Sequence, residues 1–340
     1  MGRPMMKLCW IGEVPSERDW FHFLLSDVLT GEAFCDDFPP PAPHTLYGFD
    51  SNHIPLRSIP PAFLESARVT RGIGLLHLAD EWYGHDYNIY ANFAFVIRTH
   101  AATALRHPGL LTVPLGLPRG CAPRGAVIRA SERQFVWSFA GNLVATRADV
   151  VRALAEIRPS AVHIYTMKAA DAPPLTKPRF QALLGDTTFT PAPMGNVMAE
   201  TWRLYEALEA GSIPIVEKRL GFDYFENLFG KHPLPAFHTW EAAAAFITRI
   251  RHDHGAVDDL QARVMAWWAA YKADLKARVS AFVTAAGDDA YRSDMARFRF
   301  PTGAARVSWQ YLELAKHHSI AALARRISIM ARRRSLSRGA

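Results

Sequence analysis

Glu200, Arg203 and Glu206 follow one another at three-residue spacing in a segment of helical composition, so a helix would bring them to one face. An arginine is always charged and binds phosphate oxygens two at a time. A carboxylate such as Glu206 accepts two hydroxyl hydrogen bonds at once, which suits a ribose diol. The other use of this trio is an i,i+3 pairing of Arg203 with Glu200 or Glu206 on a solvated face. Glu200 could touch a sugar or act only through the dipole of the helix N-terminus. Gly195 and Asn196, just upstream, could offer backbone N–H groups to an anion or form a plain turn. Arg147 is a second candidate cation. It follows Gly141-Asn142, where a glycine lets the backbone approach a phosphate; otherwise it is a solvated surface arginine.

A second polar group lies in the first half of the chain. Asp80 and Glu81 directly follow the apolar run Gly74–Leu78. A carboxylate or histidine within hydrogen-bond reach of a hydroxyl can serve as general base. Asp80, nearer the end of the run, is expected slightly ahead of Glu81, and a capping pair is the alternative. His85 and Asp86 come next as bases, and His85 could instead contact an acceptor or a phosphate. His77 alternates with apolar neighbours and reads as structural. Arg98 ends the next apolar run; it could bind an anion or form an ion pair with Asp80 or Glu81. No Asp-x-Asp follows a strand, so no metal–diphosphate site is expected; arginine, asparagine and backbone groups would meet the charge instead.

Alternating strands and helices position these groups, which means parallel sheets. In the first half, strands are expected at Lys7–Ile11, Gly74–Leu78, Phe93–Ile97 and Leu110–Val113. Helices are expected at Asp19–Leu29, Ala62–Ala67 and Ala101–Arg106, with a Pro-rich loop over 36–44. Residues 116–125, rich in Gly and Pro, read as a linker. The second half restarts with a strand at Phe135–Ala140. Helix 146–157, strand 161–166, helix 177–184, strand 187–190, helix 199–210 and strand 213–216 follow, then helices 240–251, 257–286 and 306–333. Leu204, Ala207 and Leu208 give helix 199–210 an apolar face, and Gly211 marks its end. The expected domains are 1–125 and 126–340, the latter including the terminal helices. Trp267, Trp268, Tyr271 and Leu275 have helical spacing and read as core or an interdomain seam rather than a sugar platform.

Composition limits the choices. The 340 residues are 49% hydrophobic and 21% charged, enough for two globular domains. The net charge of +7 suits anionic ligands without arguing for nucleic acid. Much of the excess lies in the Arg-rich, acid-free tail 325–338. That tail is either solvated or, with Ile327, Ile329 and Met330, a peripheral contact to an anionic membrane. Three cysteines make neither a disulfide framework nor a zinc site. No signal-peptide core and no long apolar run is visible. There is no P-loop motif, and Gly72-Ile-Gly74 is not a dinucleotide fingerprint.

The residue order also resembles a family. Pro193-x-Gly195, then Glu200-Thr201-x-Arg203, Glu206-Ala207-Leu208, Gly211 and Ile213-Pro214-Ile215-Val216, is similar to the donor-binding segment of the exostosin-type glycosyltransferases, nearest the ribitol xylosyltransferase-like branch. Phe139-Ala-Gly141-Asn142 with Arg147 resembles the element opening that family's second domain. His77-Leu-Ala-Asp80-Glu81, Phe95-Val-Ile-Arg98 and Val113-Pro-Leu-Gly116 resemble its first-domain pattern. The resemblance implies a GT-B-like fold of two Rossmann-like domains facing a cleft. It also implies a metal-independent, inverting hexosyl- or pentosyltransferase with no cofactor beyond a nucleotide-sugar co-substrate, a UDP-sugar. Gly141, Asn142, Arg147, Gly195, Asn196, Glu200, Arg203 and Glu206 would bind the donor, and Asp80 or Glu81 would act on a glycan or polyol-phosphate acceptor. Surface polysaccharide synthesis is the expected setting. The family's eukaryotic members are anchored in the Golgi; without an anchor in this chain, a cytoplasmic place is expected. A non-catalytic nucleotide- or glycan-binding member of the same fold is the second reading.

Overall fold

The computed structural model describes residues 5–102, 105–121, 126–165, 173–219 and 222–317. The Arg-rich tail and most of the 116–125 linker's second half lie outside these residues. The chain forms two compact units: Met1–Gly120 with Trp268–Gln310, and Cys121–Trp267 with the segment from Tyr311 onward.

In the first unit the order is β1 (Met6–Ile11), α1 (Arg18–Leu25), β2 (Leu29–Cys35), β3 (Thr45–Asp50), α2 (Pro61–Val69), β4 (Gly74–Leu78), β5 (Phe95–Arg98) and β6 (Leu110–Thr112). All six strands are parallel, in the order β2-β1-β3-β4-β5-β6. The buried run Gly74–Leu78 forms a central strand, as its unbroken apolar composition requires. Two strands and two helices depart from expectation. The helix expected to reach Leu29 stops at Leu25, and Leu29 opens β2. This is an edge strand whose half-exposed sequence LTGEAFC lacks the apolar run of a central one. β3 was hidden beside the Pro-rich loop. The expected helix over 101–106 is absent among its described residues.

The second unit runs β7 (Phe135–Gly141), α3 (Arg147–Ala153), β8 (Ser160–Ile164), α4 (Lys177–Gly185), β9 (Thr187–Ala192), α5 (Trp202–Glu209), β10 (Ile213–Glu217), α6 (Tyr224–Phe229), β11 (Ala236–Phe237) and α7 (Trp240–Ile250). Its strands lie in the order β11-β10-β9-β7-β8, again all parallel. The order reverses between β7 and β9. Crevices that bind ligands open beyond the carboxyl ends of strands at such a switch point. α5 buries Leu204, Tyr205, Ala207 and Leu208. Gly211 follows it at φ +65°, a conformation that side chains resist.

The chain then enters α8 (His254–Gly287), α9 (Arg292–Ala296) and α10 (Gly303–Ala315). α8 is unbroken, but its tryptophans serve different cores. Trp267 packs on Phe229 in the second unit, and Trp268 stacks on Trp20 in the first. Residues 268–310 therefore belong with the first unit, whereas a simple division had kept everything after 126 in the second domain. Apolar packing recruits them there: Leu275, Val279, Val283 and Met295 are all buried. Tyr271 and Leu275 are core residues too. Among the described residues, no helix is long and apolar enough to cross a membrane.

Candidate functional site

The carboxyl end of β7 delivers the backbone of Ala140 and Gly141 to the switch point. Arg147 opens α3 just beyond, and Arg203 lies in the first turn of α5. Both arginines line a cavity of about 240 Å³ with Tyr165, Lys177, Trp202 and Glu206. Arg203 donates from Nη2 to the carbonyl of Ala140 at 2.6 Å, and its guanidinium lies 4.8 Å from the centre of the Phe139 ring. A Cβ on Gly141 would sit 2.8 Å from Arg203 Nη2. A side chain at this position would push the guanidinium off the strand end. Arg147 donates to Asn142 Oδ1 and from Nε to the Met194 carbonyl at 3.4 Å, which ties the loop after β7 to the loop after β9.

Neither guanidinium has a carboxylate within ion-pair distance among the described residues. Burial, together with the other's charge, pushes Arg203 down to about 10, and burial also lowers Arg147. Arg203 Nε and Thr201 Oγ1, both facing this region, are buried without a hydrogen-bond partner. Buried polar groups left unsatisfied cost stability, so a polar ligand would find them unspent. Arg133 shows the contrast: it is buried, and it donates to the carbonyls of Ile128, Leu184, Thr187 and Ala210.

Glu206, one turn after Arg203, is largely buried. Burial raises its pKa, while a hydrogen bond from Cys121 Sγ at 3.4 Å and the charges of Arg203 and Lys177 work the other way. The remaining expected donor residues sit elsewhere. α5 begins at Trp202 rather than near 199, with Thr201 at its cap. Glu200 is left before the helix, buried, and accepts from the hydroxyls of Tyr205 and Tyr224. It braces the loop and is not part of the cavity wall, which corrects the expectation of a donor contact. Gly195 spends its N–H on the Met198 carbonyl at 2.7 Å, so it closes a turn and offers nothing to phosphate. Asn196 is exposed and also lies outside the cavity wall. The residues missed from sequence are Cys121, Thr201, Tyr165, Lys177, Phe180 and Trp202. Several come from separate loops, and only the sheet order brings them together.

The first-unit group is arranged differently. Asp80, just beyond β4, is buried. Its Oδ2 accepts from Arg98 Nη2 at 3.0 Å and from the Tyr87 hydroxyl. Arg98 is fully buried: it also donates to the Thr99 carbonyl and the Tyr90 hydroxyl, and it lies over the Tyr87 ring. Arg98 therefore has no face left for a phosphate or an acceptor, and of its two expected uses the ion pair with Asp80 is the one realised. Its charge sits in a shell of tyrosines and one carboxylate that pushes its pKa up against the opposing effect of burial. His77 bonds the Tyr90 hydroxyl at 2.6 Å and is structural, and Asp86 caps the turn at Asn88. Asp80 and His85 line a cavity of about 360 Å³ with Ser51, Arg57 and Trp82, while Glu81 does not.

Solved structures with a similar fold are glycosyltransferases. The Anabaena protein HepE, solved with UDP and glucose, matches at TM-score 0.50 and 10% identity over 81% of this chain and 98% of its own. The O-GlcNAc transferase of Thermobaculum terrenum matches at 0.50 and 12% identity over 87% and 68%. An α1,3-fucosyltransferase matches at 0.48 and 14% identity over 80% and 91%. Two parallel α/β units of this kind define the GT-B glycosyltransferase fold. No curated protein sequence matches the chain significantly. Residues 123–286, just under half of the chain, match the family described as the RXYLT1 C-terminal domain, in keeping with the resemblance read from the sequence.

Proposed function

We propose that the protein is an inverting glycosyltransferase that takes a sugar from a nucleoside diphosphate, UDP, and passes it to a hydroxyl of a glycan or polyol phosphate. The observation that carries this reading is the convergence of Arg147 and Arg203, both without a carboxylate partner among the described residues, on one cavity at the switch point of the second sheet. A departing diphosphate gains charge in the transition state, and preorganised cations stabilise it most where water is excluded. Two guanidiniums, with Lys177 beside them, can meet that charge without a metal ion. Glu206 would accept the ribose hydroxyls, and the rings of Tyr165, Phe180 and Trp202 in the same wall offer faces for the base. The HepE structure holds UDP, which supports uridine as the nucleoside. Surface polysaccharide synthesis is part of the proposal, resting on the family resemblance.

The experiment is a calorimetric titration of the full chain with UDP, followed by UDP release from a panel of UDP-sugars offered glycan and polyol-phosphate acceptors. UDP binding with turnover supports the enzyme. Binding with no turnover on any pair favours the non-catalytic member of the fold, and absence of UDP binding removes the donor site.

A further inference from the structure

Three cysteines spread over 340 residues give no sign of pairing in the sequence, yet the first sheet brings two of them together. In the parallel register, Cys9 of β1 lies opposite Ala33 of β2, and Cys35, two residues further along β2, lies opposite Ile11. Side chains two apart on a strand share a face, so both thiols are on the same side of the sheet. Their Sγ atoms are 3.3 Å apart, and both cysteines are free. Cys9 is buried beside Tyr47, its neighbour in β3. Cys35 is partly exposed, and it is the last residue of an edge strand that is paired on one side only.

We propose that Cys9 and Cys35 are a modification site: a thiol pair that a small disulfide, such as oxidised glutathione, converts reversibly into an intrachain disulfide. Closing the bond needs an approach of about 1.3 Å, from contact to the bonded distance of about 2.05 Å. The end of an edge strand can supply that shift, because no second strand holds Cys35; its carbonyl keeps one tie to the first strand, from the Gly12 N–H at 2.8 Å. The chemistry runs in two exchanges. The Cys35 thiolate, formed by loss of its proton to water, attacks one sulfur of the oxidised glutathione and releases the other as a glutathione thiolate. Cys9 then loses its proton, attacks the Cys35 sulfur of the mixed disulfide and expels the second glutathione. The two protons end on the two glutathione thiolates, so the protein loses two hydrogens and one glutathione disulfide becomes two thiols. Excess reduced thiol drives the same steps backward.

Burial fixes the order of the two exchanges. It acts first on Cys9, and the neighbouring Cys35 adds to it, so the Cys9 thiol is pushed up to about 12 against the opposing charge of Lys7. A thiol that keeps its proton is a poor nucleophile, and a buried one is out of reach of an outside oxidant. Cys35 is the sulfur that an oxidant meets, and Cys9 acts once the mixed disulfide has formed within contact of it. The bond fastens the edge strand β2 to β1 and closes a loop that includes α1. Cys121 takes no part: it lies in the second unit, where its thiol donates to Glu206. The pair lies wholly within the first unit and does not depend on the transferase reading.

The test is peptide mapping of the full-length protein. The folded chain is incubated with oxidised glutathione, its remaining thiols are alkylated, and it is digested without reduction and analysed by mass spectrometry. Three cysteines allow three pairs. A Cys9–Cys35 peptide lacking two hydrogens should be the dominant linked species, and dithiothreitol should reverse it. Cys9→Ser should stop at a glutathione adduct on Cys35, and Cys35→Ser should leave Cys9 unmodified. The oxidised parent should unfold at a midpoint equal to or above that of the reduced one, because the cross-link restrains the unfolded chain. No linked peptide in the folded parent, or a dominant pair that includes Cys121, would overturn the proposal. An adduct on Cys9 in Cys35→Ser, an unmodified Cys35 in Cys9→Ser, or a lower midpoint on oxidation would overturn it as well.

Discussion

Each unit places an arginine close to the carboxyl ends of its strands, and the two arginines are treated in opposite ways. Arg98 is enclosed with Asp80 and three tyrosines, and its charge is matched within the first unit. Arg203 rests on a carbonyl and a phenyl ring with no carboxylate partner among the described residues, and a second arginine lines the same cavity. Sequence gives both the same appearance, an arginine in a polar segment beside a strand. Arg98 is fully buried, whereas Arg203 is half-buried in its cavity wall. The partner separates them further: a buried charge with its counterion is scaffold, and a charge facing a cavity without one is a site for an anion.

The largest expected effect breaks the scaffold side of this contrast. Arg98→Met should leave the Asp80 carboxylate buried and unpaired and cost about 3–5 kcal/mol in denaturant unfolding. Arg203→Met removes a half-buried cation with no ion-pair partner among the described residues, so its unfolding midpoint should hold or rise. A midpoint that falls equally in both variants would erase the distinction. The next effect is on binding. Arg203→Met should weaken UDP by about ten- to a hundredfold, the value of about 1.5–3 kcal/mol for hydrogen bonds to a charged group. Arg98→Met, if it folds, should bind UDP with little change. Glu206→Ala should cost about tenfold, toward the lower end of that range.

Acidity sharpens the same point. Burial raises the Glu206 pKa above its ordinary 4.5. If its carboxylate accepts the ribose hydroxyls, UDP affinity should fall as pH drops through a midpoint above 4.5, and Glu206→Gln should flatten that dependence. A parent profile identical to that of the Gln variant would remove Glu206 from the ribose. The smallest expected effect is none: excess EDTA should leave UDP-sugar turnover unchanged, because the cations are side chains. Loss of activity restored by magnesium or manganese would contradict that assignment.

What the sequence made legible followed from local physics. The β9–α5–β10 segment could be read because its apolar face, its closing glycine and its β-branched strand all lie within thirty residues of one another. Arg203 and Glu206 came with it and Arg147 with the Gly141-Asn142 element, and the structure brings all three to one cavity. Glu200 was misplaced because two distant hydroxyls, on Tyr205 and Tyr224, hold it off the helix. β2 was missed because an edge strand needs no apolar run, and the return of residues 268–310 to the first unit depends on packing around Trp20 and Met295 that no local pattern encodes. The aromatic wall of the cavity and the thiol of Cys121 beside Glu206 come from segments far apart in sequence, so only the sheet topology reveals them.

The central claim is that the unmatched arginines of the second unit form the diphosphate site. Calorimetric titration with UDP of the parent chain and of the Arg147→Met/Arg203→Met double variant tests it most directly. The account predicts saturable binding by the parent that weakens with salt, and a loss of at least about a hundredfold in the double variant with its thermal midpoint held or raised. Equal UDP affinity in the two folded proteins would contradict it.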